Sequence, residues 1–259
     1  MEELLMAFFE FNALSVILCG SFAARVFIPE MDKLQLDDSA HAHKYPVLVL
    51  LHDEGGASMD LQRTPAERLA AEHGIFIVAP DVQHTLGTDM EYGPHYETFV
   101  ATELLNICRR IFPITEDTAK TWIGGIGTGA YGAVKTALQH PDVFTRAFSI
   151  DGTLDLGAII EKAKSGEDTG IGLQEEQLKA IFSDYKHFSG GENDLYALAE
   201  KSAQGEFLFV SEEGYARKAE SEAIAQKLGA ATQIVTLPAG ADCFSQQKSL
   251  PEAVRWACQ

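Results

Sequence analysis

Six apolar runs of strand length, most of them separated by stretches with helical periodicity, constrain this chain more than any other feature. The runs cover 47–51, 75–79, 121–126, 146–150, 207–211 and 234–237. Between them, 96–111 places Val100, Leu104, Ile107 and Ile111 at helical spacing and stops at Pro113, and further helical patterns cover 130–139 and 219–228. Strands alternating with helices imply right-handed crossovers and a mostly parallel, doubly wound α/β sheet. Ahead of the first run, 13–19 and 22–28 are β-rich and joined at Gly20 and Ser21, which predicts an antiparallel hairpin at a sheet edge. Residues 153–204 break the rhythm, being glycine- and acid-rich, and read as a cap-like excursion over one end of the sheet. The expected organisation is a single domain over 6–259 preceded by a short extension, 1–5.

Composition narrows the partners. The 259 residues carry 38 acidic and 20 basic side chains, a net charge of −18, and 46% are apolar, enough for a sizeable core. Such a charge repels phosphate backbones and anionic lipid, so neither nucleic acid nor a membrane surface is an expected partner. No stretch reaches about 18 uninterrupted apolar residues. The first basic residue, Arg25, follows Glu2, Glu3 and Glu10, which is not the charge pattern of a secretory signal. Cys19, Cys108, Cys243 and Cys258 form no CxxC pair and read as reduced thiols. The expectation is a cytoplasmic protein without metal or cofactor, since no HExxH or close His/Asp set occurs. Its expected partner is a small-molecule ligand or ester, with room for a homo-oligomer.

In a doubly wound sheet the chemistry gathers at the carboxyl ends of the strands. The turn after 121–126 reads Gly125-Ile126-Gly127-Thr128-Gly129-Ala130-Tyr131-Gly132. A strand turning sharply into a helix between glycines is the context of the G-x-S-x-G nucleophile elbow, but Gly127 holds the nucleophile's place. A glycine-rich turn or a phosphate cradle fits the same letters. The dinucleotide spelling Gly127-x-Gly129-x-x-Gly132 follows an interior strand, where that fingerprint is not expected.

Four further segments occur in order: Met6-Ala7-Phe8-Phe9-Glu10-Phe11, Tyr45-Pro46-Val47-Leu48-Val49-Leu50-Leu51-His52, Thr88-Asp89-Met90-x-Tyr92-Gly93 and Glu192-Asn193-Asp194-Leu195-Tyr196-Ala197-Leu198-Ala199. With the elbow they resemble the esterase D family of α/β-hydrolases, most of all its tributyrin-esterase branch and the S-formylglutathione-hydrolase-like carboxylesterases. The resemblance runs from Met6 to Trp256. It implies an α/β-hydrolase fold and serine carboxylesterase ancestry.

Carried over residue by residue, the family's machinery is degenerate here. Gly127 stands for the nucleophilic serine. Leu237-Pro238-Ala239-Gly240-Ala241 aligns with L-P-G-G-H, so Ala241 stands for the general-base histidine. In the loop Ser211-Glu212-Glu213-Gly214, Glu212 is the candidate for the orienting acid. The oxyanion donors map to Thr128 and to His52-Asp53-Glu54-Gly55-Gly56, which puts Asp53 and Glu54 where the family has uncharged residues. At 4 Å and an effective dielectric near 20, a carboxylate there opposes a developing oxyanion by about 4 kcal/mol. As loop carboxylates, both are expected to face solvent. His52, Tyr92 and His95 are the expected pocket residues.

No replacement constellation is legible among Ser58, Thr128, Cys243 and the histidines, His84 and His95 included. The reading is therefore an esterase homologue without its triad, binding a small molecule or a protein through the inherited pocket. An active carboxylesterase for short acyl esters, using a relocated nucleophile, is the alternative. Departures from the family at Asp53, Cys243 and Gln246 speak for natural drift over two engineered substitutions at Gly127 and Ala241.

Overall fold

The computed structural model describes residues 7–29, 43–201, 204–239 and 246–259. The expected 1–5 extension, Met6, Ala241 and Cys243 lie outside them. Eight strands among the described residues form one sheet in the order β1-β2-β4-β3-β5-β6-β7-β8. They are β1 (Ala7–Ser15), β2 (Gly20–Ile28), β3 (Val47–Leu51), β4 (Phe76–Pro80), β5 (Thr121–Ile126), β6 (Arg146–Ile150), β7 (Glu206–Glu212) and β8 (Thr232–Leu237). From β4 to β8 all neighbours are parallel, and β1 and β2 join antiparallel at one edge.

The central strands are apolar throughout because both sheet faces are covered. Along β3, Val47, Val49 and Leu51 enter one core with Phe76, Val78 and Val134, and Leu48 and Leu50 enter the other with Ile77, Leu69 and Val254. The second core lies under α1 (Ala66–His73) and α9 (Gln246–Ala257), and α4 (Gly129–Gln139) packs into the first.

Two expectations shift. The hairpin's first strand starts at Ala7, and the apolar residues Val16, Ile17 and Leu18 form its turn. Glu103 imposes that turn from outside, its carboxylate accepting from the backbone N–H groups of Val16 (2.8 Å) and Ile17 (3.1 Å) and from the Ser15 hydroxyl. The helix over 96–111 is interrupted: α2 (Tyr96–Thr98) and α3 (Leu105–Ile111) are joined by a π-helical turn, Phe99–Leu104. That wider turn shifts the apolar face, so Val100 and Leu104 are buried while Ile111 is 58% exposed.

A buried ion pair ties α4 to α2. Lys135 bonds the Glu97 carboxylate and donates to Thr88 Oγ1 at 2.7 Å, and His140 Nε2 stands 3.7 Å from Glu97 Oε1. The excursion holds α5 (Leu156–Ser165), α6 (Glu175–Phe182) and α7 (Leu195–Lys201), and α8 (Lys218–Leu228) follows β7. Phe182 meets the Tyr131 ring edge-on, which seats the excursion on α4. No helix among the described residues is long and apolar enough to cross a membrane.

Candidate active site

The turn from β5 into α4 carries Gly127 at φ +57°, a left-handed conformation that strains most side chains. Its N–H donates to the Ile150 carbonyl at 3.0 Å, and its own carbonyl accepts from Thr153 N–H at 3.0 Å. Close backbone contacts hold the turn: a Cβ at Gly125 would overlap the Gly129 carbonyl, and one at Gly129 would overlap that of His52. The G-x-G-x-G spelling is thus a packing requirement at its two ends and a dihedral requirement at its centre.

Asp53 occupies the place a side chain at residue 127 would take. A Cβ built on Gly127 would overlap Oδ1, Cγ and Oδ2 of Asp53. Oδ1 accepts from Thr128 N–H at 2.7 Å, from the Thr128 hydroxyl at 2.9 Å and from Glu54 N–H at 2.8 Å. Asp53 therefore points at the Gly127–Thr128 turn while the residue stays exposed, so the solvent-facing orientation expected of it holds in part. The physical reason is local: Thr128 N–H at the start of α4 and Glu54 N–H are preorganised donors, and a carboxylate is a strong acceptor for them. The N–H groups of Thr128 and Glu54 thus converge on one oxygen, Asp53 Oδ1. Glu54 turns inward, against the same expectation, its side chain 4% exposed and bonded to His84 Nδ1.

The other expected positions separate. Glu212 ends β7, where its N–H donates to Asp151 Oδ1 at 3.1 Å, and Glu212 and Glu213 both line the cleft. β8 ends at Leu237, in register with Glu212, and the chain returns at Gln246, which also lines the cleft. His52 does not line this cleft. Its Nε2 accepts from Val82 N–H (3.0 Å), which leaves Nδ1–H to donate to the Asp53 carbonyl (2.8 Å), so the ring latches the loop from behind. Tyr92 and His95 are also outside it: backbone bonds from Glu91 and Tyr92 to Ile181 and Ala180 fasten their segment to α6. Tyr92 is 68% exposed, and His95 Nδ1 stands 3.5 Å from Asp89. Ser58 lies outside the lining too, and the Thr128 hydroxyl is committed to Asp53.

The resulting cleft, about 730 Å³, runs from Asp53 and Gly127 past Asp151 to Tyr215 and to Ile171 of the excursion. Arg217 holds that wall, donating to the Thr169 carbonyl at 3.0 Å. No group of three or more His, Cys, Asp or Glu among the described residues is placed to hold a metal ion.

Asp151 is a cleft residue the sequence reading missed. It adopts φ +45°, and its carbonyl accepts from the Tyr215 hydroxyl at 2.6 Å. Its only sequence signal is the Asp-Gly pair closing a strand. Burial raises its pKa, the charge of Glu212 adds to the rise, and the Glu212 N–H bond opposes it. A carboxyl raised in the folded state favours folding below its ordinary value of 3.8, and that contribution is lost as pH rises through the raised value. Asp151→Asn, which tolerates the same φ, should therefore raise Tm at pH 7. The gain should vanish below the ordinary carboxyl range; equal gains at pH 7 and pH 3 would contradict it.

The strand order and the turn after β5 define an α/β-hydrolase-type fold. Among solved structures, the fluorophosphonate-binding serine hydrolase FphF of Staphylococcus aureus is similar at TM-score 0.82 and 22% identity, covering 98% of this chain and 99% of that one. The S-formylglutathione hydrolase FrmB of the same organism is similar at 0.81 and 22%, with coverage of 98% and 99%. An acetyl esterase of Caldicellulosiruptor saccharolyticus is 25% identical over 203 residues, 77% of this chain and 75% of its own length. The family model described as "Putative esterase" matches residues 33–254, and the chain belongs to that family, among the esterase D-like carboxylesterases.

Proposed function

We propose that this esterase-family member has given up serine-ester hydrolysis and uses its cleft to bind a small molecule, as a cytoplasmic protein. The observation that carries this reading is the Asp53 carboxylate, which fills the space of a residue-127 side chain while its Oδ1 takes the donors that an oxyanion would need. A serine hydrolase stripped of a triad member retains only about 10³ to 10⁴ over water, much of it from the oxyanion hole and binding. Here Gly127 and Ala241 stand at two triad positions, and the hole already holds an anion.

The expected result is p-nitrophenyl acetate and butyrate turnover no faster than buffer, with no adduct from a serine-directed fluorophosphonate. Turnover well above buffer that disappears in Cys243→Ala or Thr128→Val would replace this reading with a relocated nucleophile.

A further inference from the structure

A second cleft lies at the other end of α4. It holds about 810 Å³ and shares no lining residue with the first. Glu91 N–H donates to the Ile181 carbonyl at 2.9 Å and Gln139 Nε2 to the Glu192 carbonyl at 3.2 Å, so its walls are fastened on two sides. The Lys135–Glu97 pair lines it from below. Glu97 Oε2 has Lys135 and the Thr88 hydroxyl as donors, whereas Oε1 is buried and makes no hydrogen bond among the described residues. A carboxylate oxygen left bare in that way is costly. His140 Nε2 stands 3.7 Å from Oε1, beyond hydrogen-bonding reach, on a cleft side chain that is 32% exposed. A donor entering from the cleft has only that imidazole to turn aside. Asp89, Glu91, Asp184 and Glu192 also line the cleft, against His140 and His187 as the remaining bases. Tyr131, whose hydroxyl donates to the Asn193 carbonyl in the cleft wall, feels that field: its pKa is raised first by burial and then by the charges of Glu97, Asp194 and Glu192. Met90, Ile181, Phe182 and Phe188 supply apolar surface, the two rings meeting edge-on at 5.2 Å.

We infer that this second cleft binds a primary ammonium carried on a short apolar body, with Glu97 Oε1 as the acceptor of its proton. The volume is that of a small-molecule site, which typically spans about 300–1,000 Å³. An anion is repelled by the carboxylates around the opening. A neutral alcohol donates to Oε1 but leaves those charges unbalanced, and a quaternary ammonium balances them but has no proton to give. A primary ammonium does both, with three N–H donors on one compact charge. Its apolar body then covers Phe182 and Phe188 and removes their remaining surface from water. Lys135 does not fill this role itself, because its Nζ is spent on Glu97 Oε2 and Thr88 Oγ1.

The full chain is titrated with phenethylammonium, 2-phenylethanol and phenethyltrimethylammonium by calorimetry, and the place of binding is read from backbone amide and His140 ring resonances. The primary amine should bind and shift Gln139, His140 and Asn193. The alcohol and the quaternary amine should be weaker by roughly 10- to 100-fold, the worth of a hydrogen bond to a charged group. Lys135→Met with Glu97→Leu, checked for folding by circular dichroism, should hold the amine no better than the alcohol. His140→Ala uncovers Oε1 without touching the buried pair; it should bind the amine more tightly, and it decides the matter where the double variant does not fold. The inference is overturned by equal affinity for the primary and quaternary amines, by shifts at Gly127, Thr128 and Tyr215 in place of those in the second cleft, by undiminished binding in the folded double variant, or by weaker binding in His140→Ala. Failure of the primary amine to bind at millimolar concentration overturns it as well.

Discussion

Gly127→Ser should be strongly destabilising although it adds only Cβ and Oγ, and Asp53→Gly should undo much of the damage. A non-glycine residue in the left-handed conformation at residue 127 costs about 1 to 3 kcal/mol. Driving Cβ and Oγ into the place of the Asp53 carboxylate costs a further ~1 to 3 kcal/mol, as overpacking does. Removing that carboxylate deletes the second cost and leaves the first. Urea denaturation of wild type, both single variants and the double should therefore give a favourable coupling of about 1 to 3 kcal/mol, the range found for residues in contact. Independent, additive effects would mean that Asp53 does not occupy that space in solution. Adding Ala241→His to the double variant should bring weak butyrate hydrolysis, while Gly127→Ser with Ala241→His alone should stay silent because Asp53 still fills the donor site.

Lys135→Met should destabilise the protein by about 3 to 5 kcal/mol, because it leaves the Glu97 carboxylate buried without its cation. Lys135 and Glu97 are both nearly inaccessible, with side chains 4% and 5% exposed. The double variant Lys135→Met with Glu97→Leu should recover most of that loss, since an apolar pair of similar volume has no charge to desolvate. The same denaturation series reads the result. A double variant no more stable than Lys135→Met would show that the α4 anchor depends on the Thr88 and His140 contacts instead of on the charge pair.

The sheet was legible because its strands are short, apolar and spaced by helices, and both periodicities survive in a single sequence. The hairpin was legible too, but the start of β1 was not: Phe8 and Phe9 are 41% and 54% exposed on an edge, and the alternation of Phe9, Glu10, Phe11 and Asn12 is outweighed by the more continuous apolar run after Ala13. Nor was the π-helical turn, whose residues are spelled like any other helix. At the site, Gly127 could be placed at the strand-to-helix turn from its flanking glycines alone. The direction of Asp53 could not, because it depends on Thr128, 75 residues away, and on the volume that a glycine leaves empty. His52 was read as a pocket residue for a related reason: the Val82 N–H that turns it into a latch lies 30 residues away and carries no side-chain signature. Asp151 gave only an Asp-Gly pair, which specifies a turn but neither a left-handed aspartate nor a cleft.

On the proposed reading, the filled donor site also works as a ratchet. A serine returning at residue 127 meets Asp53 and weakens the fold before any base is present to activate it. Loss of Asp53 by itself frees three donors and yields no nucleophile. Each first step on the way back to a serine hydrolase is therefore neutral or harmful, and the advantage arrives only when several changes coincide. On that reading a single hydrogen-bonded carboxylate, next in the chain after the loop-latching histidine, is enough to make the departure hard to reverse.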